Sequence, residues 1–314
     1  MIIRQLAAGG LLFSKKLLFK GIIQLRLRGD IIMNKRKKKT LIWVVVALIV
    51  VIAGIFSFGN FGKQKEQTVT VGVVSPSKQD EAVWNQVKKT AKSKYNVDIK
   101  LKTFTDYNQP NKALQSGSID LNAFQHKAFL NAWNKANHGT LVSIGKTFIT
   151  PIHLYSNNYK SVKSLPDGAT ITIPNDASNE SRALYVLQSA GLITLKKNTG
   201  ALATISSIAK NPKNLKIKEV AADQAARTLG SVDAAVVNTN YAVAAKISTK
   251  KSIFTEPVDK NSEQWINLIA AQKKDRNKEA YKDVVKAYQT EKVKKVINEQ
   301  YKGMEKPAWD IKLK

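Results

Sequence analysis

An α/β fold of two lobes flanking a cleft, preceded by one N-terminal transmembrane helix, is what this 314-residue sequence predicts. Three observations carry the prediction. Beyond residue 62, short β-branched runs alternate with helical periodicity, as α/β architecture requires. A long β-rich segment, Leu141–Tyr155, is interrupted by Pro151 and reads as a crossover between lobes, and the chain returns later at a strand, Gln264–Ala271. Finally, Leu41–Phe58 runs 18 residues without a charge, directly after Lys35-Arg-Lys-Lys-Lys39.

The apolar run sets the topology. A helix rises 1.5 Å per residue, so this stretch reaches roughly 27 Å, enough for a bilayer core. Its basic flank belongs in the cytoplasm by the positive-inside rule. Ile55-Phe-Ser-Phe58 is bulky where signal cleavage needs small side chains, and the chain has no cysteine to carry a lipid. The expectation is a single-pass anchor in a Gram-positive cell membrane, with everything after Gly62 on the extracellular face. Met33 followed by Asn-Lys-Arg-Lys-Lys-Lys39 is an ordinary signal start. Residues 1–32 are therefore expected to be a translated leader. Residues 33–62 would then hold the basic flank, anchor and linker, and 63–314 the outer domain.

Charge narrows the partners. Residues 1–40 hold 11 Lys and Arg against one Asp, whereas those beyond 62 hold 40 against 22 Asp and Glu. The lysines are dispersed and no basic-aromatic cluster appears, so nucleic acid is not an expected partner. A basic surface near anionic membrane and wall polymer accounts for them. Without cysteine there are no disulfides and no thiol chemistry.

The outer elements follow in order. Val69–Val74 is an apolar run typical of a strand buried on both faces. The helix Asp80–Tyr95 puts Val83, Trp84, Val87 and Ala91 on one side, and Val97–Phe104 is a second strand. A short helix over Lys112–Ser116, the strand Ile119–Phe124 and a helix from about Gln125 to Asn137 come next. Past the crossover, Ala169–Ile173, the helix Ser178–Ala190, Leu215–Val220 and Val232–Val237 build a second βα unit. Two helices between about Asn277 and Tyr301 close the chain. The expected lobes are about 68–150 with 246–314, and about 155–240.

Catalytic chemistry finds little footing. The three histidines, His126, His138 and His153, sit in no HExxH, and there is no GxSxG, P-loop or GxGxxG after a strand. No enzyme activity and no cofactor are expected. Binding has more to work with. In Thr170-Ile-Thr-Ile-Pro-Asn-Asp-Ala-Ser-Asn-Glu-Ser-Arg-Ala-Leu184, a strand and polar turn lead into a helix with Arg182 in its first turn. A guanidinium beside the positive end of a helix suits a carboxylate or phosphate. Tyr107, Phe124, His126 and Phe129 cluster near strand ends, and Asn238 and Asn240 follow a buried strand. Ligands of open α/β sheets bind beyond such ends. Core packing for the rings and helix capping for the asparagines are the competing structural uses.

The motifs FTDYNQPNKAL, DLNAFQHKAFL, LYSNNYKSVKSLPDGATITIPNDASNESRAL, NPKNLKIKEV and VDAAVVNTNYA occur in that order across Val69 to Asp310. Together they resemble the NlpA/MetQ family, methionine-binding proteins of ABC importers. The resemblance implies a two-lobed periplasmic-binding-protein fold that closes over an amino acid and delivers it to a permease with a cytoplasmic ATPase. It implies that Arg182 binds the ligand carboxylate. Asn179, Asn240 and Asn238 would make polar contacts to the ammonium and carboxylate. Tyr107, Phe124 and Phe129 would enclose the thioether, with His126 beside them. Departures from the family pattern are the missing lipid-bearing cysteine, Phe129 where tyrosine is frequent, His153 and Asn108. The last three are expected to line or approach the pocket. They leave L-methionine, D-methionine and a methionine-containing dipeptide open as ligands. The alternative reading is a membrane-anchored interaction or adhesion protein that retains the fold. A hydrolase lacks a nucleophile–base pair.

Overall fold

The structure of the protein, a computed structural model, describes Trp43, Val44, residues 66–199 and residues 202–313. No helix among the described residues is long and apolar enough to cross a membrane. The anchor expected at Leu41–Phe58 lies outside them except for Trp43 and Val44, as does the leader.

Chain order is β1 (Gln67–Val74), α1 (Lys78–Tyr95), β2 (Val97–Phe104), α2 (Gln109–Ser116), β3 (Leu121–His126), α3 (Lys127–Asn137), β4 (Leu141–Lys146) and the short β5 (Phe148–Ile149). After the crossover come β6 (His153–Tyr155), β7 (Thr170–Pro174), α4 (Ala177–Ser189), the paired β8 (Thr194–Leu195) and β9 (Ile208–Lys210), then β10 (Lys216–Val220), α5 (Ala222–Thr228), β11 (Ala234–Val237), α6 (Thr239–Ala244) and β12 (Ser252–Thr255). The chain finishes with β13 (Asn267–Gln272), α7 (Glu279–Tyr288), α8 (Glu291–Tyr301) and β14 (Lys306–Pro307).

Two five-stranded sheets result, ordered β2-β1-β3-β13-β4 and β10-β7-β11-β6-β12. In each, three parallel strands are extended through one reversed strand, β13 in the first lobe and β6 in the second, which pairs antiparallel on its far side with β4 or β12. β1 lies inside the first sheet between β2 and β3: Val69, Val71 and Val73 pack into one core with Trp84, Val87, Val284 and Ile297 from the flanking helices, while Val74 joins Phe104 and Leu114 in another. The second core joins Ile171, Ile173, Leu184, Leu187 and Val236. A third cluster spans the lobes, uniting Phe104 and Leu114 with Tyr155, Val237 and Tyr241. At Gly72 a Cβ would lie 2.6 Å from Ile119 Cδ1 and 3.1 Å from Phe104 Cε2, so any larger residue there would have to push these side chains aside.

The return crossing differs from expectation. Residues 246–255 are not part of the first lobe, since β12 pairs with β6 in the second sheet. The chain leaves at Glu256, whose N–H donates to Ile152 O at 3.0 Å. Ile152 N–H returns a bond to Glu256 Oε2 at 3.0 Å, so the two crossings lie side by side.

Candidate functional site

The second lobe supplies a polar wall. α4 opens at Ala177, with Asp176 as its N-cap accepting from Asn179 N–H at 3.0 Å. That start places Arg182 in the second turn, a correction to its expected place in the first. Its guanidinium is therefore not added to the free N–H groups of the helix end. Arg182 is 2% exposed and forms a two-point contact with Glu256: Nε to Oε1 at 2.8 Å and Nη2 to Oε2 at 2.5 Å. Nη2 also donates to Thr150 O at 2.8 Å. Trp265, at the end of a 3-10 turn from the first lobe, carries the guanidinium 4.9 Å above its ring, a cation–π distance. The other polar groups follow β11. Asn238 holds the N-cap position of α6 yet makes no capping bond. Its Nδ2 donates instead to Asn179 Oδ1 at 2.9 Å. Capping thus does not explain that residue.

The first lobe supplies an aromatic wall. Tyr107 lies 5.7 Å from Phe124, 5.8 Å from Phe129 and 4.9 Å from Tyr241, centroid to centroid. Behind the rings, buried Asn111, Asn122 and Gln125 bond to one another at 2.7–2.9 Å and tie α2 to β3. These amides of the DYNQPN and FQH motifs brace the wall. The β3 strand runs on to His126, and α3 begins only at Lys127 because His126 is its N-cap. His126 Nδ1 accepts from Phe129 N–H at 3.1 Å, so the ring proton sits on Nε2, 3.3 Å from Asn179 Oδ1. Burial, and then the Arg182 charge, lower the His126 pKa to about 3, so the ring is neutral at physiological pH.

Two hydrogen bonds close the gap between the walls. Tyr107 O–H donates to Asn240 Oδ1 at 2.5 Å, and Tyr241 O–H donates to Thr105 O at 3.3 Å. Burial raises the Tyr107 pKa well above its usual value, which keeps it a donor.

Tyr107, Phe124, His126, Phe129, Asn179, Arg182, Asn238 and Asn240 all line one cavity, which continues into the first lobe as far as Tyr301 and Glu305. His153 and Asn108 do not line it, a second correction. His153 is buried between Ser252 and Thr255, its Nδ1 3.0 Å from each hydroxyl, and Asn108 is exposed at the start of α2. Three participants escaped the sequence reading. Asp176 was visible as an acid just ahead of a helical run, a cap signal. Glu256 and Trp265 gave no local signal, since each meets Arg182 only through the fold.

Such a cleft suits a small molecule with an apolar arm and a polar, anionic head. Among the described residues no group of histidines and carboxylates could hold a metal ion.

Comparison with known proteins agrees with this geometry. Residues 69–309 match the NlpA lipoprotein family. The D-methionine-binding lipoprotein MetQ of Salmonella typhimurium is 42% identical over 244 residues, 77% of this chain and 88% of that one. The substrate-binding protein of a methionine transporter from Streptococcus pneumoniae superposes with a TM-score of 0.73 at 48% identity, covering 77% of this chain and 96% of that structure. A nutrient-binding protein from Burkholderia cenocepacia, solved bound to methionine, gives 0.73 at 45%, covering 76% and 99%.

Proposed function

This chain belongs to the NlpA lipoprotein family, and from that premise we propose that it is the substrate-binding component of an ABC importer. It takes methionine, or a close analogue, between its lobes and delivers it to a permease driven by a cytoplasmic ATPase. It performs no catalysis. One observation supports the reading above the rest: a ring-lined wall from one lobe faces an arginine and three asparagines from the other across a single cavity. A thioether gains roughly 0.3–1.5 kcal/mol from each sulfur–aromatic contact. Arg182 meets the ligand carboxylate, with its Nε and Nη2 held by Glu256. Asn179, Asn238 and Asn240 serve the ammonium and carboxylate, and Tyr107, Phe124 and Phe129 enclose the thioether beside His126. The domain stands on the extracellular face, tethered by Leu41–Phe58, a placement that rests on the sequence alone.

Calorimetric titration of the protein, unfolded and refolded to strip carried ligand, tests this with L-methionine, D-methionine and a methionine-containing dipeptide. Sub-micromolar binding of one of them is the expected result. Heat from none would leave the second reading, an anchored interaction protein. One observation favours that reading: no lysine from Lys160 to Lys251 has a carboxylate partner among the described residues, whereas the first lobe pairs several. Salt-sensitive binding to an anionic polymer would then be measurable.

A further inference from the structure

One atom of the cleft lacks what its chemistry requires. Asn238 is 6% exposed and its Oδ1 is buried without any hydrogen-bond partner among the described residues. Buried acceptors are almost always paired, and an unpaired one is costly. An amide can often turn over to solve such a problem. Here the neighbours forbid it.

The prohibition starts at Asp176, which is not part of the cavity lining. Both of its carboxylate oxygens face Asn179 Nδ2, at 3.0 and 2.9 Å. A carboxylate only accepts, so that end of Asn179 must be its NH2 group and the other end its oxygen. Asn179 Oδ1 then faces two donors. His126 Nε2 must carry its proton because Nδ1 already accepts from Phe129 N–H. The second donor is Asn238 Nδ2, at 2.9 Å. Turning Asn238 over would set two amide oxygens against each other. The chain of amides therefore has a direction, and it ends on the oxygen of Asn238, a residue that lines the cavity.

We propose that Asp176 is a positioning residue: through Asn179 it holds Asn238 with Oδ1 toward the ligand, so that the cleft demands a cationic N–H donor there. The inference rests on the amino-acid reading above and deepens it. The ammonium is selected by a carboxylate two side chains away, and Arg182 keeps its role for the anionic end. Zwitterions are preferred over simple carboxylic acids of the same shape because of this relay. Ser178 Oγ also donates to Asp176 Oδ1, at 2.9 Å, which holds the carboxylate in place.

The test compares methionine with its des-amino analogue, which keeps carboxylate and thioether and lacks the ammonium. Each is titrated against wild type, Asp176→Asn and Asp176→Ser. Both variants keep an oxygen to cap α4, but each can also donate a proton, so neither dictates the direction of the amides. Wild type is expected to prefer methionine. Both variants should lose about tenfold or more of that preference, roughly the worth of one hydrogen bond to a charged group, while the analogue binds nearly unchanged. An equal loss for both compounds would make Asp176 a cap and nothing more, and would overturn the inference. Equal wild-type affinity for the two compounds would also overturn it, whatever the variants do, and leave the amino-acid reading standing. Wild type binding neither compound would remove that reading, and this inference with it.

Discussion

The first lobe meets the cleft with rings, whereas the second meets it with amides and a guanidinium. Tyr107, Phe124, His126 and Phe129 come from one sheet and its helices; Asn179, Arg182, Asn238 and Asn240 come from the other. Neither half is a complete site for a molecule with an apolar arm and a charged head. For the proposed function, the division makes recognition and lobe closure one event, because only a ligand touching both walls benefits from bringing them together. The two walls are also braced differently. The aromatic wall rests on neutral, mutually bonded amides behind β3, while the polar wall rests on carboxylates, Asp176 and Glu256, that only accept.

The strongest way to break the comparison is at Arg182. Arg182→Ala removes the anchor for an anionic head and strands Glu256 as an unpaired buried carboxylate. Loss of one partner from a buried pair costs about 3–5 kcal/mol, so chemical denaturation should show a large loss alongside absent ligand heat. The double variant Arg182→Met with Glu256→Gln should recover most of the stability and none of the binding. Recovery of binding would show that the polar wall does not use the arginine.

The opposite wall is next. Phe129 is buried against Tyr107 and Phe124. Phe129→Ala should cost about 3 kcal/mol or more of stability, as buried phenylalanine truncations do. It should weaken methionine binding and leave any binding of alanine, which has no long side chain, unaltered in calorimetry. An equal loss for the two amino acids would mean the rings do not enclose the side chain.

Acid sharpens the contrast through His126. Its folded pKa of about 3 lies below the ordinary 6.5, so the unfolded chain binds more protons between those values. Stability contributed by the neutral ring is thus complete above pH 6.5 and declines as pH falls toward 3, by roughly 2 kcal/mol at pH 5. Unfolding of His126→Asn, which can still cap α3, should lack that slope. An identical slope in the variant would place the acid sensitivity elsewhere.

The smallest effect belongs to the bond between the walls. Tyr107→Phe deletes the hydrogen bond to Asn240 and should lower the stability of the closed form by about 1 kcal/mol. Stopped-flow displacement should show it as several-fold faster ligand release with little change in association. Unchanged release would mean the bond does not hold the lobes.

Much of the fold was legible because its signals are local. Val69–Val74 is valine-rich because β1 runs buried inside its sheet, and Pro151 marks the first crossing. The second crossing left no such mark. Ser252-Ile-Phe-Thr255 is a short, half-exposed strand whose allegiance is set by pairing with β6, not by its own pattern. The site divides in the same way. Its lining residues cluster at strand ends and could be named in advance. The partner of Arg182 could not, since Glu256 is distant in sequence and meets the arginine only where the crossings run together. At Asn238 it was the competing use that failed: an asparagine ahead of a helix can serve as a cap, yet its side chain turns to Asn179.

Both crossings grip one guanidinium, Thr150 from the outgoing strand and Glu256 from the returning one. When two bodies swing about a pivot, points beside the pivot are displaced least. Under the proposed function, parting of the lobes would disturb the Thr150 and Glu256 contacts of Arg182 least, while the rings of the opposite wall would travel away from it. A cargo lodged there, as proposed, would come loose at its greasy tail first and at its charged head last. Unloading would acquire an order, set by where the arginine stands and not by how tightly it holds.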